Sequence, residues 1–204
     1  MSDDARAVVL RRIRAAMPTT GPVAVPRSYE HGALTGAADV AWFAETVSEY
    51  RARVRYVAPT DIAATVAELV GAGTAVIPAD LPPDWVRGVC TVADDPPLSI
   101  DELDRSDAVV TGCALGIAAT GTIVLDAGAA QGRRALTLVP DHHICVIGTH
   151  QIVETVPQGF AALDPVRPLT FISGPSATSD IELERVEGVH GPRTLDVLIV
   201  DGLG

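Results

Sequence analysis

VRYVAPTDIAATVAELVGAGTAVIP, residues 54–78, decides the fold. VRYVA (54–58) is a short, β-branched, apolar run that reads as a strand. Pro59-Thr60-Asp61 stops it and offers an N-cap. The helix predicted over 61–70 then presents Ile62, Val66 and Leu69 on one face. Gly71 ends that helix, and TAVIP (74–78) is the next strand. This is a β-α-β rhythm of short buried strands joined by a helix.

The rhythm continues toward the carboxyl side with less regularity. GVCTV (88–92) reads as a short strand, and residues 94–105 hold a Pro-Pro pair and a polar helix. DAVVTGC (107–113) and GTIVLD (121–126) are apolar, β-branched strands, Arg133–Val139 is a short helix, and HICVIG (143–148), LTFISG (169–174) and LDVLIVD (195–201) are further strands. Residues 108–125 carry no charge and are long enough to span a bilayer. Gly112, Gly116, Gly121 and three threonines interrupt them, so they read as strand, turn, short helix, strand. The fold class is α/β, three-layer, with a largely parallel sheet over residues 51–204.

Toward the amino side, Val40, Phe43 and Val47 mark a helix over 38–51. Pro18, Pro22 and Pro26 mark a linker or extended arm over 17–38. MSDDARAVVLRRIRAAM suits an amphipathic helix, with Val9, Ile13 and Ala16 on one face and Arg6, Arg11 and Arg14 off it. It lacks the apolar h-region of a signal peptide. Residues 1–50 are therefore expected to form a helical arm and linker that packs or binds a partner.

The 204 residues are 48% apolar, enough to bury a core without disulfide or metal staples. The formal charge is −11, and all 15 basic residues are arginine. Without lysine, Schiff-base chemistry and a P-loop are excluded. An acidic surface disfavours nucleic-acid binding. Residues 89–204 hold six arginines and sixteen acids, whereas residues 1–88 are near neutral. This asymmetry fits either solubility or an acidic docking face. Cys90, Cys113 and Cys145 are too few and too scattered for a disulfide scaffold and fit a reducing cytoplasm.

Four motifs could carry chemistry. TGCALGIAATGT (111–122) is either a glycine-rich turn whose N–H groups meet an anion, through Thr120, Gly121 and Thr122, or a tight connection. It is not a dinucleotide fingerprint. ISGPSATSDIE (172–182) offers Ser173, Gly174, Ser176 and Thr178. With a following helix these would cradle an anion at a strand's carboxyl end; the alternative is ordinary capping. His142 and His143 would face opposite sides of one strand, and no pair of His or Cys has zinc spacing, so no metal site is expected. His143 and His190 are candidate ligand or catalytic groups or structural hydrogen-bonders. Arg133, Arg134 and Arg193 are the cations nearest these loops, and a guanidinium fork suits carboxylate or phosphate; the alternative is a solvated turn.

TGCALGIAATGTIVLD, RRALTLVPDHHICVI and FISGPSATSDIELERVEGVHGPRTLDVLIVD together resemble, in order and spacing, the lactate-utilization protein C family, or LUD domain. The likeness spans residues 54–201 and is strongest over 107–201. It implies a fold like that of the ribose-5-phosphate isomerase and CoA-transferase group. It also implies a part in oxidising L-lactate to pyruvate beside iron–sulfur partner proteins. No cysteine spacing here suits a cluster, so this chain would be the accessory subunit without one, with no cofactor evident of its own. Where the family carries glutamate in this segment, the chain has Ala119. That change favours a binding or assembly role, or a site centred on Asp180, Glu182 and His190. The leading expectation is an accessory subunit that binds a small anionic ligand through the residues named above, with Arg133 and His143 as further contacts. The alternatives are a stand-alone isomerase- or transferase-like enzyme on a sugar phosphate or acyl-CoA, and a regulatory or assembly protein. Oligomeric state is left open.

Overall fold

The computed structural model describes residues 3–17, 38–178, 186–187 and 191–203. The chain divides into two units, residues 1–30 and 31–204. In the first, α1 (Asp3–Ala16) is the amphipathic helix expected, with Val9 and Ile13 exposed.

The second unit contains a six-stranded, wholly parallel sheet. Its strands are β1 (Arg53–Val57), β2 (Thr74–Ile77), β3 (Cys90–Ala93), β4 (Ala108–Thr111), β7 (His142–Gly148) and β12 (Thr194–Val200). They lie in the order β1-β12-β7-β4-β2-β3. A second, four-stranded sheet has the order β8-β5-β6-β9, formed by Ile152–Val153, Leu115–Ile117, Thr122–Leu125 and Thr170–Ile172 respectively. A two-residue ribbon, β10 (Ala177–Thr178) with β11 (Val186–Glu187), is antiparallel.

Side chains alternate across a strand, so β12 feeds two cores. Leu195, Val197 and Ile199 face α2 (Val40–Glu49) and the second sheet, where Phe43, Val47, Ile123 and Ile147 are buried. Leu198 and Val200 face α3 (Ile62–Val70), where Ile62 and Val66 are buried. The three layers are thus α3, the parallel sheet, and α2 with the second sheet. α4 (Ile100–Asp104) adds Leu103 to a smaller cluster with Val76 and Leu136, and α5 (Val156–Ala162) lies near β5 and β8.

Several expectations change. GTIVLD and LTFISG are strands, but of the second sheet, not the parallel one. Residues 115–117, expected in a short helix, form β5, which pairs antiparallel with β6 across a 3₁₀ turn at Ala118–Thr120. Arg134–Thr137 is also a 3₁₀ turn. Among the described residues no helix begins after Pro175: the Ser176 N–H donates to the Pro192 carbonyl (2.8 Å) and the chain enters β10. Asp61 caps no backbone N–H, because a 3₁₀ turn at Pro59–Asp61 has already drawn it into helical conformation.

Asp196 is an acid inside an otherwise apolar strand, and its side chain is fully buried. Its Oδ2 accepts from Arg53 Nη2 on β1 (2.5 Å) and His142 Nε2 on β7 (2.6 Å), tying three adjacent strands at their amino ends. Its Oδ1 is buried without a partner. Burial pushes the carboxyl pKa up, but the His142 and Arg53 hydrogen bonds outweigh it and hold the group below its ordinary 3.8. The stabilisation is therefore complete above about pH 3.8 and is lost as acid protonates the folded carboxylate. Asp196→Asn is expected to cost about 2–3 kcal/mol in urea unfolding at pH 7, less than breaking a fully buried pair because Arg53 keeps access to water.

Two glycines seat loops on α2. Gly121 has φ +54°, and a Cβ there would lie 2.7 Å from the Thr46 carbonyl carbon and the Val47 nitrogen. Gly174 has φ +80°, and a Cβ there would collide with the Tyr50 carbonyl. Gly121→Ala combines left-handed strain with a backbone clash and is expected to lower stability by about 3 kcal/mol, read as a shift in the urea midpoint.

Candidate functional site

The second sheet leans over the amino ends of β7 and β12 and leaves a cavity of about 300 Å³ between them. Arg134, Thr137, His143, Phe171, Ser173 and Ser176 line it. Its remaining walls include Gly174 and the apolar side chains of Leu138, Ile172 and Leu195.

Each polar group has a local reason to be there. His143 and Thr111 lie on the same face of β7 and β4, two residues apart in register, and His143 Nε2 is 2.8 Å from Thr111 Oγ1. The imidazole is fully buried. Burial, helped by the neighbouring His142, lowers its pKa to about 3, so it is neutral at physiological pH. It can hydrogen-bond a ligand but is a poor proton acceptor there. Ser173 follows β9. Its Oγ lies 2.8 Å from Thr122 Oγ1, which lies 2.8 Å from Thr120 Oγ1. A chain of three hydroxyls thus joins the tip of the β5–β6 hairpin to the cavity.

The two neighbouring arginines divide. Arg133 grips Asp94 through Nε (2.7 Å) and Nη2 (3.0 Å) and donates to the Leu98 carbonyl (2.5 Å). Burial pushes the Asp94 carboxyl up, but Arg133 and the Leu98 N–H more than offset this and hold it below its ordinary value. Arg133 is therefore committed to structure. Arg134, an exposed residue that lines the cavity, has no ion-pair partner among the described residues. Among the described residues that line the cavity it is the one arginine.

The structure thus gathers His143, Ser173, Gly174 and Ser176 in one cavity, with Thr122 and Thr120 linked to it by hydrogen bonds. Thr178 lies in β10. Asp180, Glu182 and His190 lie outside the described residues. Ala119 is exposed at the hairpin tip, where its N–H donates to the Glu154 carbonyl (2.9 Å). Sequence reasoning missed Thr111, Thr137 and Phe171. Thr111 alone carried a signal, as a hydroxyl closing an apolar strand.

The Ser173 loop follows the carboxyl end of β9, in the second sheet, and so lies at the amino ends of the parallel strands. Ligands of open α/β sheets bind at carboxyl ends. Here that end, beyond β4 and β7, holds a wider crevice of about 520 Å³. Its charges neutralise each other, Arg167 Nε lying 3.2 Å from Asp126 Oδ2. Its amides are engaged too, Gln131 with Asp126 and Gln151 with the Cys113 carbonyl. Cys113, on its wall, has its thiol pushed well above the ordinary range by a hydrogen bond with buried Cys145 and by burial, and so is inert. Among the described residues no cluster of His, Cys, Asp or Glu is arranged to hold a metal ion, and no helix is long and apolar enough to cross a membrane.

Fold and cavity together define a three-layer α/β domain with a polar, arginine-lined pocket beside its sheet. The chain belongs to the LUD domain family, whose profile matches residues 98–200 and so spans every cavity residue named above. A lactate utilization protein C from Deinococcus radiodurans is 45% identical over 203 residues, covering 97% of this chain and 96% of that protein. A second protein of that name, from Shouchella clausii, is 33% identical over 113 residues, 50% of this chain and 48% of that one. The crystal structure of a DUF162 family protein from Deinococcus radiodurans superposes with a TM-score of 0.69 at 43% identity, covering 79% of this chain and 95% of that chain.

The His143 environment has a measurable consequence. In NMR pH titrations its ring signals are expected to stay those of neutral imidazole between pH 5 and 8. The unfolded chain's histidine protonates near its ordinary 6.5, so folding stability should begin to fall as the pH drops below that value. A His143 titration midpoint near 6.5 in the folded protein would contradict this account.

Proposed function

We propose that this chain is the subunit without an iron–sulfur cluster in a cytoplasmic system that oxidises L-lactate to pyruvate, and that it binds a small anionic metabolite. The observation that carries the binding role is Arg134, a guanidinium lining a cavity of hydroxyls and a neutral imidazole with no carboxylate opposing it among the described residues. A guanidinium, hydroxyl donors and backbone N–H groups are what a lysine-free chain has to offer an anion. The lactate pathway is supported by the names of the relatives, at 45% identity over nearly the full chain in one case. Its iron–sulfur proteins are the expected partners, since the three cysteines here are unpaired and scattered, two of them buried. With its imidazole held neutral, the cavity is suited to recognition more than to proton transfer.

The reading is tested by deleting the gene and complementing it. The deletion strain is expected to lose growth on L-lactate. The wild-type chain should restore it, and Arg134→Gln, being at an exposed position that leaves the fold intact, should not. Normal growth of the deletion strain on L-lactate would remove the pathway assignment, and full rescue by Arg134→Gln would remove the anion site.

A further inference from the structure

The outer face of the second sheet carries an unexplained apolar groove. It has a volume of about 250 Å³ and runs between α5 and β9, lined by Ile117, Val156, Phe160 and Phe171. Phe160 and Phe171 stack with ring centroids 5.6 Å apart, yet each is about half exposed, at 56% and 45%. Two stacked aromatic rings left in water are costly, because each has apolar surface that burial would stabilise.

The groove is not isolated. Ser173 and Phe171 line both it and the Arg134 cavity, and Thr120 and Thr122 continue the groove's wall at the same hydroxyl chain. A ligand passing the end of β9 at Ser173 would reach a cation on one side and stacked aromatic rings on the other. The cavity alone is already large for a three-carbon acid, and Leu138, Ile172 and Leu195 give it apolar walls that such an acid would leave wet. The head group is constrained by charge. One guanidinium with no ion-pair partner among the described residues, in a half of the chain with ten more acids than arginines, matches a monoanion better than a phosphate dianion.

We propose that cavity and groove together take one ligand, a monocarboxylate with a linear apolar chain, its head at Arg134 and its chain running past Ser173 onto Phe160 and Phe171. This rests on the anion site proposed above and names the class of molecule that fills it. The system's own three-carbon acids then occupy only the head-group end, and the longer acid is the better ligand.

Calorimetric titration of the full chain with L-lactate, butyrate, hexanoate and octanoate tests the proposal. Affinity is expected to rise with chain length, by up to about fourfold for each methylene that becomes buried. Phe160→Ser, at an exposed position, should flatten that rise, and Arg134→Gln should weaken every acid by tenfold or more. Equal affinity for L-lactate and octanoate would overturn the chain assignment while leaving the anion site standing. Failure of all four acids to bind would remove both. A rise with chain length that persists in Phe160→Ser would place the chain elsewhere and overturn the groove assignment.

Discussion

The site depends on a contact of backbone against backbone. The last turns of α2 lie directly on the β5–β6 hairpin tip at Gly121 and on the Ser173–Gly174 bend, with no room for a Cβ at either glycine. Thr122 and Ser173, fifty-one residues apart, come within hydrogen-bonding distance because β6 and β9 pair antiparallel, Ile123 opposite Ile172, and α2 packs on the loops at that end. The glycines that look in the sequence like an anion cradle thus serve the packing of these loops on α2. Positioning a polar site by rigid packing beneath it is a general way to hold donors in place before a ligand arrives.

Charge is handled by separation of duties. Arg53 and Arg133 serve buried or half-buried carboxylates, one pinning the strands at Asp196 and one fastening the 94–98 loop beside the 3₁₀ turn. Arg134 is left for the cavity. The acidic excess of residues 89–204 acts at longer range and is screened over about 8 Å at physiological salt. An anion bound as proposed would be held by close contacts rather than drawn in by steering, in keeping with a cavity whose donors are mostly neutral.

Much of the parallel sheet was legible, because VRYVA, TAVIP, DAVVTGC, HICVIG and LDVLIVD are short apolar runs with turn residues between them. What the sequence could not show was which strands share a sheet. GTIVLD is as apolar and β-branched as DAVVTGC, yet one lies in the second sheet and the other in the first, since pairing is set by contacts distant in the chain. Leu115–Ile117 is too short to declare its periodicity, and so β5 looked like part of a helix. At the site, the residue types were readable but the direction of side chains was not. Arg133 and Arg134 are indistinguishable as letters, and a single step along the chain turns one toward Asp94 and the other toward the cavity. Asp196 did leave a mark, an acid in second place in the apolar run LDVLIVD, whose meaning needed its neighbours on β1 and β7.

The strand order carries a consequence for biosynthesis. β12 is inserted between β1 and β7, and β1 has no other neighbour in the sheet. Residues 53–57 therefore leave the ribosome with no strand to pair with until residues 194–200 have followed them. Through that interval Asp196, the counter-charge of Arg53 and His142, is also missing, and two sheet neighbours that will end side by side are held apart by the whole intervening domain. Such non-local pairing slows folding and leaves strand edges exposed meanwhile. The strand that completes the sheet beside its edge is thus the last to be made.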